Sequence, residues 1–462
     1  MKMRFNQNFL RILVCVTFAA SAVFAQEKSA ERPAPATGKP PVIVIPGTTG
    51  SDLYNKKTGK QVWFSTRRNK DDDIRLPITP NLAANVDNLE ARDILRAVKV
   101  ARLLPEVEIY DRLIDGLTNR AGYREVKWNE AKAGDHVDTF FVFPYDWRRD
   151  NVESAQLLIK KIEELKKKLG RPRMKFNVVA HSMGGLISRY AAMYGDSDIP
   201  YGPLKPNWSG ASHFNKVFLL GTPNEGSVSS LRALIEGYSY IGGGINLPFV
   251  RDISNVDVFT IPSAYQLLPH DGTVFAYDDE LKPIPIDIYE PRTWTEYGWD
   301  IWNGKKFAKD FSAAEQNNAE IYFRAVLSRA KRFQEALNAN TATKVPVSFY
   351  LMGGDCKETA TALILRRSEK KDKWLSQFNA APFTSSLGKA FGADSLKSVI
   401  YSVGDGTVTK TSLTASNLIA NGKQNVLPLA GEIFQCETHG KLVTNPEIQD
   451  KLFVLLGAVP EE

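Results

Sequence analysis

The sequence predicts a doubly wound α/β fold, a mostly parallel sheet covered by helices on both faces. Three observations carry that expectation. First, six short apolar runs recur along the chain, each stopped by a turn: Val42–Ile45, Thr139–Phe143, Phe176–Val179, Lys216–Leu220, Val345–Leu351 and Ser398–Val403. Runs that are apolar throughout suit strands buried on both sides, as parallel strands are. Second, helical periodicity fills the gaps between runs. Third, 43% hydrophobic and 24% charged residues over 462 positions describe an ordinary globular chain long enough for one large elaborated domain.

Taken in order, the chain opens on Lys2, Arg4 and Arg11, followed by an apolar stretch from Ile12 to Phe24 and the small residues of Val23-Phe24-Ala25. That pattern reads as a signal peptide, residues 1–25, cut near Ala25; the apolar run is short for an uncleaved anchor. The expected destination is the periplasm or the medium. Residues 26–41 hold four prolines and no apolar period, a flexible leader. The core would then comprise residues 42–225 and 341–462, with a smaller insertion at about 51–102.

Within the core, Ala155, Leu158, Ile159, Ile162, Leu165 and Leu169 form one helical stripe ended by Gly170, with Lys160-Lys161 and Lys166-Lys167-Lys168 expected in solvent. Met183–Tyr194 reads as a second helix, stopped by Gly195. Residues 226–340 break the rhythm with Gly242-Gly243-Gly244 and scattered aromatics, among them Tyr238, Tyr240, Phe249, Trp294, Tyr297, Trp299 and Trp302. They read as a cap or lid inserted between two core strands.

Charge and cysteines narrow the partners. Removing residues 1–25 takes away three of the 59 basic side chains and none of the 52 acidic ones, leaving 56 − 52 = +4. A balance so mild implies no nucleic-acid partner. It suits transient contact with an anionic membrane surface, although ordinary solubility is the simpler account. Oligomeric state is not legible. Cys356 and Cys436 remain after cleavage, and an even pair in an exported chain reads as one disulfide, with two separate buried thiols as the alternative.

The chemistry centres on Ala180-His181-Ser182-Met183-Gly184-Gly185, a variant of the Gly-x-Ser-x-Gly nucleophile elbow. A sharp strand-to-helix turn tolerates only small residues two before and two after the serine. An apolar run precedes this motif and a helix follows it, as the α/β-hydrolase architecture requires. That architecture orders its triad Ser, then Asp or Glu, then His. Of the downstream histidines, His213 directly precedes a core strand. His270 lies in His270-Asp271-Gly272-Thr273-Val274, read as a cap turn. His439 stands near the C-terminus after the last strand signal, where the base belongs. Asp405, in Gly404-Asp405-Gly406-Thr407-Val408, ends a strand run; Asp355, beside Cys356, is the reserve acid. Ser182, Asp405 and His439 are therefore the expected catalytic residues. The main-chain N–H groups of Met183 and of Thr48, in Pro46-Gly47-Thr48-Thr49-Gly50, are the expected oxyanion donors. Scattered histidines give no metal constellation, and no cofactor is expected.

With these pieces in place, the chain resembles the lecithin:cholesterol acyltransferase and lysosomal phospholipase A2 family. Four stretches carry the likeness: Pro41–Ser51, Pro144-Tyr145-Asp146-Trp147-Arg148, the elbow, and Gly404–Val408 with His439 at a fitting distance. The resemblance implies Ser182, Asp405 and His439 as triad, Thr48 and Met183 as oxyanion donors, and a disulfide bracketing the triad acid, where Cys356 and Cys436 fall. The family's other disulfide, which closes a lid, has no cysteines here. The function expected is a serine-dependent hydrolase or acyltransferase on lipid acyl esters. A lipase or esterase on non-phospholipid esters, or a silent binding module, are the alternatives.

Overall fold

The computed structural model describes residues 38–65, 73–98, 107–238, 253–270, 272–340, 345–368, 373–423 and 426–459. The expected signal peptide, most of the leader, Tyr240, the triple glycine, Phe249 and Asp271 lie outside the described residues. Among the described residues no helix is long and apolar enough to cross a membrane.

Seven strands form the central sheet: β1 (Val42–Ile45), β2 (Arg124–Glu125), β3 (Thr139–Val142), β4 (Phe176–His181), β5 (Phe214–Leu220), β6 (Ser348–Gly354) and β7 (Leu429–Gln435). Their order is β7-β6-β5-β4-β1-β3-β2, and every pairing is parallel. The chain leaves β1 toward β2 and β3 on one side and later returns to place β4 on the other. The C-terminal ends of β1 and β4 therefore flank the point where strand order reverses, the place where open α/β sheets build their sites.

Alternation along each strand divides the core in two. Ile43, Ile45, Val178, Ala180, Val217 and Leu219 face α1 (Asn151–Lys168) and α2 (Met183–Tyr194), whose Leu158, Ile162, Leu186 and Ile187 are buried with them. Val42, Val44, Val179, Phe218 and Leu220 face the opposite layer, with Leu113 and Ile114 and with Ile448, Leu452 and Phe453 of the C-terminal helix. Successive side chains on a strand point to opposite faces, so an all-apolar run is needed wherever both faces are covered.

Four local expectations are corrected. Ser398–Ile400 ends a helix, Ala393–Ile400, and only Tyr401–Gly404 is extended. That strand pairs antiparallel with Lys357–Ala360, outside the central sheet. Two central strands come from stretches not expected as strands, β2 and β7, the latter, Leu-Ala-Gly-Glu-Ile-Phe-Gln, half exposed at the edge with no apolar run. Lys166 is buried, its Nζ 3.0 Å from His213 Nδ1. Finally, Trp294, Tyr297 and Trp299 are buried against one another, and Trp294 also stacks edge-on to Phe323 of the long α3 helix (Ala313–Leu337). Their indole N–H groups donate to Ile288 O and Ser376 Oγ. These aromatics, which read as scattered, therefore belong to one buried cluster with the side chains of the central sheet.

Cys356 and Cys436 form a disulfide. Cys436 directly follows β7 and Cys356 follows β6 after Asp355, so the bridge ties the C-terminal ends of neighbouring strands and closes a loop of 80 residues that contains Asp405. In the chain-entropy picture a loop of that size stabilises by about 4 kcal/mol. Replacing both cysteines by serine is expected to remove that amount in denaturant unfolding. Adding reductant to the wild type should reproduce the loss, and the double variant should then not respond to reductant.

Candidate active site

The site is assembled at the elbow between β4 and α2. Ser182 sits at φ 52°, ψ −125°, a sparsely populated region for a residue with a Cβ, held by its N–H donating to Leu220 O and its carbonyl accepting from Gly185 N. The turn brings α2 hard against β1: a Cβ on Gly184 would stand 2.5 Å from Pro46 O, which is why a glycine is required there. Gly47 lies as close from the other side, where a Cβ would stand 2.8 Å from Ser182 Cβ.

His439 and Asp405 arrive from far along the chain. His439 Nε2 is 2.9 Å from Ser182 Oγ, and His439 Nδ1 is 2.8 Å from Asp405 Oδ2. The His439 N–H also donates to Asp405 O, fixing the two segments to each other. Asp405 uses its second oxygen to accept from the N–H groups of Thr407 and Val408 at 2.9 and 2.7 Å. Burial alone would raise this carboxyl, but His439 and the two amides outweigh it and hold it below the usual carboxylate range. The acid is fully buried, whereas 15% of the His439 side chain is exposed, so the line runs from a dry end toward an open one.

Thr48 and Met183 meet beside Ser182, Thr48 Oγ1 donating to Met183 Sδ at 3.4 Å. No acceptor for the main-chain N–H of either residue occurs among the described residues. The loop that carries Thr48 is clamped from several sides: Tyr145 Oη donates to Pro46 O, Trp63 Nε1 donates to Thr49 O, and the Tyr145 N–H donates to Ser51 Oγ.

The remaining candidates are placed elsewhere. Asp355 pairs with Lys410 at 3.3 Å, not with a histidine. His213 stands beside Lys166, and burial together with that lysine pushes it down to about 4. His270 belongs to a turn in which the Thr273 N–H donates to its carbonyl. Two residues that sequence reasoning passed over touch the site: Tyr110, and the ring of His181 inside the elbow itself. Tyr110 has no local signal, because its partners lie 63 and 71 positions away. Among the described residues no cluster suited to a metal ion occurs.

Three solved structures are similar to this chain. A Tle4–Tli4 complex aligns with TM-score 0.53 at 15% identity, over 91% of this chain and 98% of that one. Bacillus licheniformis lipase BlEst2 in mature form aligns with TM-score 0.35 at 14% identity, over 91% and 94%. EstA from Clostridium botulinum aligns with TM-score 0.33 at 12% identity, over 91% and 87%. No match is found among curated proteins. The family model for lecithin:cholesterol acyltransferase matches residues 56–344, a stretch that holds Ser182 and Pro144–Arg148 but ends before Asp405 and His439. With well over half its length matched, this α/β-hydrolase chain belongs to the lecithin:cholesterol acyltransferase family.

Proposed function

We propose that the protein is a serine-dependent acyl-ester hydrolase or acyltransferase acting on lipids, with Ser182 as nucleophile, His439 as base and Asp405 as orienting acid. The observation that supports this most is the unbroken line from Ser182 Oγ to His439 Nε2 and from Nδ1 to Asp405 Oδ2. An ionised Asp405 can only accept, so His439 carries its proton on Nδ1 and presents a free lone pair at Nε2 to the serine hydroxyl. Oγ attacks the ester carbonyl carbon while its proton passes to Nε2. The oxyanion so formed is received by the N–H groups of Thr48 and Met183. Collapse breaks the bond to the leaving alcohol, which takes the proton from Nε2 and leaves an acyl-enzyme. Water or an acceptor alcohol, deprotonated by His439, then releases the acyl group.

Export through a signal peptide at residues 1–25, to the periplasm or the medium, belongs to the same reading. The Cys356–Cys436 disulfide supports it, since such bridges persist in oxidising compartments. Residues 226–340 are proposed as the cap beside the site. Product analysis by mass spectrometry tests the substrate class, using phospholipid and neutral glyceride vesicles with and without an added alcohol. Fatty acid and lysophospholipid are the expected products, with a new ester wherever the alcohol competes with water. Cleavage of glycerides alone would replace the phospholipid reading with a lipase, and no cleavage of any ester would overturn it.

A further inference from the structure

Beside the triad lies a second run of hydrogen bonds that the proposed mechanism does not use. The Gly47 N–H donates to Tyr110 Oη at 2.8 Å, Tyr110 Oη lies 2.9 Å from His181 Nδ1, and His181 Nε2 lies 3.1 Å from the main-chain oxygen of His439. The proton positions follow from the partners. A carbonyl oxygen only accepts, so His181 Nε2 must carry the hydrogen, and Nδ1 of the neutral ring is then an acceptor. Tyr110 therefore donates its one O–H to Nδ1, and its oxygen lone pair receives the Gly47 N–H. Every donor and acceptor in the run is matched in one way only.

Both side chains are buried. The packing is tight enough that a Cβ on Gly50 would stand 3.0 Å from Tyr110 Oη and one on Gly47 3.3 Å from His181 Nδ1. The two imidazole rings of His181 and His439 lie 4.9 Å apart between centroids. Burial and the neighbouring His439 push His181 down to about 3, so it stays neutral beside a base that must become a cation during catalysis. Burial pushes the Tyr110 phenol up, which keeps it a donor.

We propose that Tyr110 and His181 are a positioning pair that registers the three reacting segments against one another: the Gly47–Thr48 loop, the Ser182 elbow and the His439 segment. His181 is covalently next to the nucleophile, so its ring nitrogens link the elbow to the donor loop through Tyr110 on one side and to the main-chain oxygen of His439 on the other. Neither residue touches substrate. The proposal rests on the triad reading, because it assigns the pair's purpose to the geometry of that triad.

The test uses the full chain and a soluble p-nitrophenyl ester. Tyr110→Phe removes the donor to Nδ1 and the acceptor for Gly47 while keeping the ring. It is expected to lower kcat by on the order of tenfold to a hundredfold with KM unchanged, as small misplacements of reacting groups do. His181→Gln retains an N–H able to reach the His439 carbonyl and should keep more activity than His181→Leu, which retains nothing. A Tyr110→Phe kcat within twofold of wild type, or a loss confined to KM, would overturn the pair. Should the variants fail to fold, the wild type still decides: nitrogen-15 NMR of labelled histidine should show His181 as the neutral Nε2–H tautomer from pH 5 to 8. An Nδ1–H tautomer or a titration in that range overturns the proposal. Fluorophosphonate labelling of wild type and Ser182→Ala separates the two levels. Equal labelling of both would sink the triad, whereas Ser182-dependent labelling with an unimpaired Tyr110→Phe sinks only the pair.

Discussion

Ser182→Ala is expected to abolish fluorophosphonate labelling and to lower ester turnover by on the order of 10⁴-fold to 10⁶-fold, the range found when a triad nucleophile is deleted. Ser182 Oγ is the hydroxyl that His439 Nε2 meets, at 2.9 Å. The backbone supplies a second, independent readout. With φ 52° and ψ −125°, residue 182 holds a conformation that any side chain with a Cβ resists. Alanine keeps that strain and glycine relieves it. Ser182→Gly should therefore be as inactive as Ser182→Ala yet more stable than it by about 1 kcal/mol, after allowing for the greater unfolded-state freedom of glycine. Thermal unfolding of the two variants measures the difference. Identical melting temperatures would mean that the elbow stores no strain, and residual labelling at wild-type rate would remove Ser182 from the mechanism.

Arg148→Ala is expected to cost about 3–5 kcal/mol of stability, the range for stripping one partner from a buried ion pair. Its guanidinium is wholly buried and forks onto two carboxylates. Nη1 and Nη2 reach Asp87 at 2.6 and 2.9 Å, while Nε and Nη2 reach Asp146 at 2.9 and 2.7 Å. Nη1 also donates to Ile74 O. Alanine would leave both half-buried acids, 19% and 18% exposed, without this cation. Arg148→Lys keeps the charge but cannot make the planar fork, so an intermediate loss is expected. Urea unfolding gives the numbers, and a loss below about 1 kcal/mol for alanine would show that water replaces the guanidinium. Activity should fall with stability, since adjacent Tyr145 holds Pro46 O at the mouth of the proposed oxyanion loop.

Within Pro144-Tyr145-Asp146-Trp147-Arg148, Asp146 and Arg148 pair locally and Tyr145 braces a neighbouring loop. The reach of Arg148 to Asp87 and Ile74 was not visible, because nothing near position 148 encodes a partner 61 or 74 residues upstream. The helix at Asn151–Lys168 shows the same division. Its apolar stripe and Gly170 stop could be read from spacing, while the burial of Lys166 depended on His213 arriving from before β5.

The sequence by itself determined whatever obeys a local steric or periodic rule. Strand β1 is apolar throughout, and β4 and β5 are apolar over Val178–Ala180 and Val217–Leu220, because both faces are covered there. The elbow needs Gly184 because α2 returns against Pro46. Ser182, Asp405 and His439 occur in an order that one architecture uses, and the structure brings those three side chains within hydrogen-bond distance. Only the tertiary structure decided what depends on a distant neighbour. Edge strand β7 is extended because β6 supplies its ladder, not because its residues demand it. The Trp294–Trp299 cluster is interior because α3 covers it. Tyr110 and His181 become a connected pair only once β1, β4 and the His439 segment lie side by side. Hydrogen bonds between groups 63 to 258 residues apart leave no local pattern, since their geometry is fixed by packing and not by spacing.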